Sequence, residues 1–240
     1  MNEMVQRFLR QKFSSAGIVV ALSAVALVAA PQLAATGGRT GFELATLPLL
    51  ILAAGCVSRD AGSGALQMIL CRPLSRGDYL LGRYLGILAA FAGFLAAAGA
   101  LAVLFGRVVL PMLGGTAASV DVPSLATGAL ATLLGGTATA AMVVFFSTFL
   151  PGYGDVLGFI LLAPLTALPE AAGQVLHAPW LQKAGPLLRR NVLPSLDWGA
   201  VLRGENVFGE ATGRWVLALV VALAAALVVF SRREFAYGQD

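Results

Sequence analysis

The sequence predicts an all-α, polytopic membrane protein with six transmembrane helices in a single domain that covers residues 1–240. Hydrophobic residues make up 58% of the 240 residues and charged residues 12%, whereas soluble domains carry about 25% charged residues. The mean hydropathy is +0.84. Several uncharged runs also approach the roughly 20 residues that an α-helix needs to cross the hydrocarbon core of a bilayer.

Residues 1–14 are expected to form an interfacial elbow helix before the first span. Apolar side chains such as Met4 and Phe8 recur at helical spacing, and Arg7, Arg10 and Lys12 lie among the polar positions. A basic amphipathic helix of this kind lies in the membrane interface. Basic residues before an apolar run also occur in signal peptides, but further spans follow here, so we expect the first helix to be retained.

Six uncharged runs are candidates for the transmembrane helices. They comprise residues 16–35, 44–58, 85–105, 124–150, 156–169 and 215–231. The second, fifth and sixth runs are short, so they must include flanking residues, such as Phe42 for the second and Glu170 onward for the fifth, in order to span. The fifth run contains Pro164 and Pro169, and a broken or re-entrant segment is the alternative there.

Arginine and lysine in short loops mark the cytoplasmic side of a membrane protein. They are concentrated in the N-terminal arm, after the second run and in the C-terminal tail: Arg7, Arg10, Lys12, Arg59, Arg72, Arg76, Arg83, Arg232 and Arg233. Short loops on the other side contain only Arg39 and Arg107. Both termini are therefore predicted to be cytoplasmic. Residues 170–214, the predicted extracytoplasmic loop, oppose this orientation because they contain five basic residues, which four acidic residues partly offset.

The stretch from residue 58 to residue 86 carries the most specific pattern. A short helix is predicted between Gly64 and Arg72, and Pro73 ends it because a residue that precedes proline is disfavoured in the helical conformation. Its apolar face comprises Leu66, Ile69 and Leu70, and Asp60 or Ser63 can cap its start. We expect this helix to lie across the cytoplasmic end of the bundle.

Ser75 is predicted to begin the next helix, which continues into the third span. Its hydroxyl can accept a hydrogen bond from the backbone amide of Asp78, whose carboxylate can reach back, as in a capping box. Gly82 and Gly86 follow four residues apart, and such spacing lets helix backbones approach closely. This close approach is consistent with helix packing within one chain and equally with an interface between two copies of the chain.

These residues resemble the ABC type-2 permease family, particularly its gliding-motility and multicopper-enzyme-maturation branch. That branch shows an acidic residue, a Gly-Thr-Leu-like step, an apolar helix, Pro-x-Ser-Arg and Tyr-Leu-Leu-Gly-Lys/Arg. The matching residues are Asp60, Gly64, Ala65, Leu66, Pro73, Ser75, Arg76, Tyr79, Leu80, Leu81, Gly82 and Arg83. Residues 193–197 also resemble the Leu-Pro-Asn-Leu/Phe-Asp element before the last span. Ala65 and Ser195 replace the threonine and asparagine of these patterns.

The resemblance implies a transmembrane permease subunit of an ABC exporter in the bacterial inner membrane. Such a subunit couples ATP hydrolysis by a separate ATPase to substrate export or to mechanical transmission across the membrane. The implied ATPase-coupling residues are Asp60, Gly64, Leu66, Gln67, Ile69, Leu70, Arg72, Pro73, Ser75, Arg76, Tyr79 and Arg83. The implied partners are the ATPase, a second copy or a paralogous permease, the lipid bilayer and, as an open alternative, a periplasmic protein.

Other motifs of catalysis or binding are not found in the sequence. The only lysines, Lys12 and Lys183, both follow glutamine, so no phosphate-binding Gly-x-x-x-x-Gly-Lys-Ser/Thr loop exists, and ATP and magnesium are expected on the partner ATPase. We expect a non-catalytic chain without a cofactor. His177 is the only histidine, which argues against a metal site, and no basic stripe on a soluble domain predicts nucleic-acid binding.

Two alternatives from other functional classes stay open at the level of sequence. An ATPase-independent secondary transporter or channel would need charged or polar residues near the bilayer midplane, and the uncharged runs offer few. A membrane anchor or assembly factor for an envelope complex would instead use residues 170–214 as its contact surface.

Overall fold

The computed structural model describes residues 2–36, 42–62, 75–114, 120–192, 196–205 and 207–232, and these are helical with no strands. The first helices are α1 (Asn2–Phe13), α2 (Ala16–Ala35), α3 (Thr46–Ala53), which follows a 3-10 turn at Phe42–Ala45, and α4 (Ser58–Gly62). The later helices are α5 (Arg76–Leu104), α6 (Val122–Ser147), α7 (Gly154–Val175), α8 (Pro179–Val192), α9 (Trp198–Leu202) and α10 (Glu210–Arg232). A π-helical turn at Phe105–Val109 and a short helix at Leu110–Met112 extend α5.

Within the described ranges, five helices are long and apolar enough to cross a membrane. They are α2, α5 with its extension to Met112, α6, α7 and α10. Five of the six predicted runs therefore coincide with such helices, and these indicate a multi-pass membrane protein. The count of six spans is not confirmed, because the second run does not form one long helix.

The second run forms the short helix α3, a turn and then α4. Gly55 follows the end of α3 with φ +65°, a left-handed conformation that glycine adopts without steric cost and that commonly ends helices. Leu52, Ala53 and Val57 are completely buried. Irregular backbone at membrane depth is tolerated where protein surrounds it, so the run can be apolar throughout and still be broken. The apolar composition of the second run gives no indication of the break at Gly55.

The fifth run, in contrast, is a continuous helix. The 22-residue helix α7 contains both Pro164 and Pro169, and the broken or re-entrant alternative is not observed. The C-terminal end of the run extends beyond the predicted residue 169 to Val175. The expectation that this run borrows residues from Glu170 onward is therefore confirmed.

The chain divides into two compact units. The first consists of residues 1–52, 82–140 and 197–205, and the second of residues 53–81, 141–196 and 206–240. In the first unit, Leu49 and Phe91 pack against Gly136, where an added Cβ would lie 3.2 Å from Leu49 Cδ2 and 2.9 Å from Phe91 Cε1. Glycine at this position therefore allows α3 and α5 to approach α6 closely.

The core of the second unit forms around Tyr79, Val143, Val144 and Phe230, all of which are buried. The Tyr79 and Phe230 rings stack with their centroids 5.7 Å apart. In the same unit, α8 packs against α7. Long-range packing in this unit therefore connects the first turn of α5 with the last turns of α10.

Candidate functional site

The predicted coupling segment, residues 59–77, lies only partly within the described residues. Seven of its predicted coupling residues lie outside them: Gly64, Leu66, Gln67, Ile69, Leu70, Arg72 and Pro73. The structure describes Asp60 before this gap and Ser75, Arg76, Tyr79 and Arg83 after it. The described part of the predicted site therefore consists of its two ends.

A buried hydrogen bond joins the two ends of the segment. The Tyr79 hydroxyl donates to Asp60 Oδ2 over 2.8 Å, and both side chains are buried. Such a bond is stronger in a low-dielectric interior than in water, and a buried polar group that loses its partner is costly. Tyr79 thus fixes α4 to the first turn of α5.

The start of α5 is capped by Ser75, as the sequence predicts. The backbone amide of Asp78 donates to Ser75 Oγ over 3.0 Å, which satisfies one of the unpaired amides of the first helical turn. The second bond differs from the predicted capping box, because the Asp78 carboxylate accepts from the Ser75 hydroxyl over 2.7 Å. The cap defines where the segment ends and the transmembrane helix begins.

Arg76 ties the start of α5 to the end of α10. Its Nη1 donates to the backbone carbonyl of Ser231 over 2.6 Å and lies 3.4 Å from that of Phe230. The last carbonyls of a helix have no partner within the helix, and arginine is a favourable partner for them because it also complements the helix dipole. A Cβ added at Gly77 would lie 3.7 Å from Leu227 Cδ2, so Leu227 of α10 lies close to the first turn of α5.

The turn between α3 and α4 is held by two completely buried side chains, Asp155 and Ser147. Asp155 Oδ2 accepts from the Gly55 amide over 2.7 Å, and its Oδ1 accepts from the Val156 amide over 2.8 Å. A carboxylate in the first turn of α7 is also favoured by the helix dipole. The turn is thereby fixed to the start of α7.

Ser147 and Ser58 complete this network at the end of α6. Ser147 Oγ accepts from the amides of Val57 and Ser58 over 3.0 and 3.1 Å. The Ser58 hydroxyl donates to the Gly152 carbonyl over 2.7 Å. Buried backbone groups outside helices need such partners. The turn that leads into the coupling segment is therefore bonded to both α6 and α7.

The sequence pattern gives no indication that Ser147, Asp155 or Gly152 belongs to this site. Asp155 stands directly before an apolar run, and Ser147 stands near the end of another. A polar residue at the edge of a run is a weak signal, because most such residues face water or headgroups. Their partners near residue 57 lie about 90 to 100 positions away, and no local pattern connects them.

Arg83 lies apart from these contacts, in the first unit, where it is 4% exposed and packs against α1. Its Nη1 donates to Gln11 Oε1 over 2.9 Å, and its guanidinium carbon lies 5.4 Å from the centroid of the Phe8 ring. Lys12 Nζ lies 5.6 Å from the same ring. These distances are in the range of cation–π contacts.

The two glycines of α5 that sequence analysis noted receive side chains of α1. A Cβ added at Gly82 would lie 2.8 Å from Met4 Cβ, and one added at Gly86 would lie 2.8 Å from Phe8 Cδ1. The close approach that their spacing predicts therefore occurs between α1 and α5 of one chain. The predicted N-terminal helix is present as α1, and it packs against the first turns of α5.

Hydrogen bonds join several helices near the predicted coupling segment. They join α5 to α4 and to α10, and they join the turn before α4 to α6 and α7. Within the described ranges, no three histidine, cysteine, aspartate or glutamate side chains lie close enough to hold a metal ion.

No model of a known protein family matches the chain, and no curated protein matches it as a relative. The resemblance to the ABC type-2 permease family therefore depends on the quoted residues alone and stays a prediction.

Proposed function

We propose that the chain is the transmembrane permease subunit of an ABC exporter, and that a separate ATPase drives it through residues 59–77. The observation that carries this proposal is the closure of the segment at its base by the Tyr79–Asp60 hydrogen bond. When a segment closed by this buried bond is displaced, the displacement is passed to the helices that are bonded to its two ends. ATP and magnesium are bound by the ATPase and not by this chain.

The proposed conformational change begins when the ATPase subunits close and displace the coupling segment. Arg76 passes the displacement to α10, and the turn around Gly55 passes it to α6 and α7 through Ser147 and Asp155. Because the bonds of Asp155 and Ser147 are buried and therefore costly to break, the ends of α6 and α7 move together with the turn around Gly55. The result is a rearrangement of the spans that exports a substrate or transmits force across the membrane.

The position of the chain ends supports the proposed sidedness. The end of α10 lies against Arg76, and α1 lies on Gly82 and Gly86 of the same helix. Each chain end therefore packs, within its own unit, on a part of α5 that is close to the coupling segment in sequence. In the proposal this side is cytoplasmic, which agrees with the basic residues concentrated there, and the membrane is the bacterial inner membrane.

The proposed complex contains two permease subunits and two ATPase subunits, and the second permease is another copy of this chain or a paralogue. This composition follows from the resemblance quoted above. An ATPase gene next to the gene for this chain would support the proposal before any protein is purified.

The test is purification of the chain from its native membranes with and without a substitution in the segment. Wild type should co-purify with an ATPase that contains a phosphate-binding loop, and the pair should hydrolyse ATP. Leu66→Asp should abolish this association while membrane insertion is unchanged. Arg76→Asp has the same expected effect, but it also removes the contact with α10, so Leu66→Asp is the cleaner variant.

Met112→Asp is the matched control, because Met112 is an exposed apolar residue at the other end of the extended α5. It should leave ATPase association intact. Undiminished co-purification with Leu66→Asp would contradict the proposal. A chain that purifies without any ATPase and without ATP hydrolysis would favour the anchor or secondary-transporter alternatives.

A further inference from the structure

Helices α5 and α6 of the first unit lie side by side and run in opposite directions. A Cβ added at Gly99 of α5 would lie 3.1 Å from Leu125 Cδ2 of α6, and one added at Gly136 of α6 would lie 2.9 Å from Phe91 Cε1 of α5. The later residue of α5 therefore meets the earlier residue of α6. Both helices are long and apolar enough to span a membrane.

An open groove follows the line of contact between these two helices. It is lined by side chains from residues 92–103 of α5 and 122–133 of α6, and each of them is alanine, glycine, valine or leucine. Leu95 and Leu125 are buried and lie at its base, whereas the alanines beside them are too short to fill the space. The groove has a volume of about 490 Å³, and its walls offer only hydrocarbon contacts.

The dimensions of the groove match those of one hydrocarbon chain. Residues 92–103 extend about 16 Å along a helix, which is about half of the hydrocarbon thickness of a bilayer and therefore the depth of one leaflet. A volume of about 490 Å³ spread over that length gives a mean cross-section of about 30 Å². An α-helix is about 10 Å in diameter and has a cross-section of about 80 Å². The groove therefore admits one acyl chain and not a further helix.

A cation and an anion stand at the same end of the groove. On α5, Ala96 and Val103 recur at helical spacing, and Arg107 continues this row one turn beyond Val103, within the π-helical turn. On α6, Asp121 directly precedes Val122, which lines the groove opposite Val103. Both charged side chains are exposed. A headgroup at this end of the groove therefore meets one charge of each sign.

We propose that the groove binds one acyl chain of phosphatidylethanolamine, with the lipid phosphate at Arg107 and the ammonium group at Asp121. The planar guanidinium of arginine fits phosphate oxygens with two parallel hydrogen bonds. Hydrocarbon contact alone cannot select a lipid, because acyl chains are as apolar as the side chains that line the groove. The two charges at its end select the headgroup. This inference does not depend on the exporter assignment.

The acyl-chain site is tested by native mass spectrometry of the full chain. The chain is reconstituted in nanodiscs that contain equal amounts of phosphatidylethanolamine and phosphatidylglycerol, and the lipids that it retains on release are counted. Wild type should retain phosphatidylethanolamine in preference. Ala96→Phe fills the groove and should lose this lipid, whereas Ala97→Phe, at an exposed position outside the groove, should retain it. Equal retention by Ala96→Phe and wild type would overturn the groove as the site.

Substitutions at the two charges test the headgroup contacts in the same experiment. Arg107→Gln should retain about fivefold less phosphatidylethanolamine, and Arg107→Lys should retain most of it. Arg203→Gln, an exposed arginine outside α5 and α6, is the matched control and should have no effect. Undiminished retention in Arg107→Gln would overturn the phosphate contact.

Asp121→Asn removes the negative charge and keeps the cap of α6, because asparagine accepts from the Ser124 amide as well as aspartate does. Its preference for phosphatidylethanolamine over phosphatidylglycerol should decrease. An unchanged preference in Asp121→Asn, or a wild type that prefers phosphatidylglycerol, would overturn the ammonium contact.

The same spectra distinguish a lipid from a second copy of the chain as the occupant of the groove. With lipid as the occupant, Ala96→Phe should lose phosphatidylethanolamine while the ratio of monomer to dimer stays as in wild type. A loss of dimer in Ala96→Phe with the lipid still retained would show that the groove receives another copy, and it would overturn the lipid site.

Discussion

The two ends of helix α7 are held in opposite ways. At its start, Asp155 is completely buried and binds the amides of Gly55 and Val156. At the other end of α7, helix α8 packs on Gly173. The basic side chains of α8 are exposed, and the ion pair that Arg190 forms with Glu210 is exposed as well. The start is fixed by buried hydrogen bonds. The other end is held by helix packing, and its charged side chains are exposed.

The largest effect is expected at the buried end. Asp155→Ala leaves the Gly55 amide buried without its acceptor, and this should lower the free energy of unfolding by about 3 kcal/mol. Asp197→Ala is the matched control, since Asp197 is a helix cap that accepts from the Ala200 amide in an exposed position, and it should cost about 1 kcal/mol. Chemical denaturation in detergent micelles measures both. Equal losses would contradict the contrast between the two ends.

The next effect concerns the packing of α8 on α7. Gly173→Ala introduces a Cβ that would meet the backbone of Gln182, and backbone yields less readily than a flexible side chain, so we expect a loss of about 2 kcal/mol. An added Cβ at Gly213 of α10 meets nothing within 4 Å. Gly213→Ala should therefore be neutral or stabilising by up to about 1 kcal/mol. Limited proteolysis should show α8 released in Gly173→Ala only.

A smaller effect is expected when the bond at the base of the coupling segment is removed. Tyr79→Phe keeps the stacking on Phe230 but loses the hydrogen bond to Asp60, which should cost about 1–2 kcal/mol. Tyr153→Phe is the control, because Tyr153 is exposed, and its change should stay within about 0.5 kcal/mol. If the chain works with an ATPase, Tyr79→Phe should also reduce transport per ATP hydrolysed. Unchanged stability in Tyr79→Phe would show that the bond does not fix the segment.

The smallest effect is expected in the exposed ion pairs near α8. Glu210 faces both Arg190 and Arg214, yet its side chain is 69% exposed, so Glu210→Gln should change the free energy of unfolding by less than about 1 kcal/mol. The difference from wild type should shrink further at high salt, because exposed charges are screened. A loss as large as that of Asp155→Ala, independent of salt, would mean that this end is also held by buried electrostatics.

The parts of the molecule that local chemistry determines were predictable from the sequence. Ser75 was predicted to cap α5, because its acceptor and the amide of Asp78 are three residues apart. Five of the six runs correspond to spanning helices, since each depends only on the composition of one segment. The spacing of Gly82 and Gly86 predicted a close helix contact, although it could not identify Met4 and Phe8 as the side chains that fill it.

The parts that depend on distant contacts were not predictable in the same way. The break at Gly55 lies within an apolar run, and a hydropathy pattern gives the same signal for a buried broken segment as for a span. Asp155 and Ser147 hold that break from positions far along the chain, and a single sequence carries no record of such a pairing. The role of Arg76 at the end of α10 was missed for the same reason.

The most direct test of the central claim is the sidedness of the coupling segment, and the chain carries its own reporter. Cys71 lies within residues 59–77, whereas Cys56 is buried, so a membrane-impermeant maleimide reports on Cys71, with Cys71→Ala as the blank. We expect labelling in inside-out vesicles and none in intact spheroplasts. Glu205→Cys, placed between α9 and α10 in the Cys71→Ala background, should give the reverse pattern. Labelling of Cys71 from outside intact spheroplasts would place the segment beyond the reach of a cytoplasmic ATPase and contradict the account.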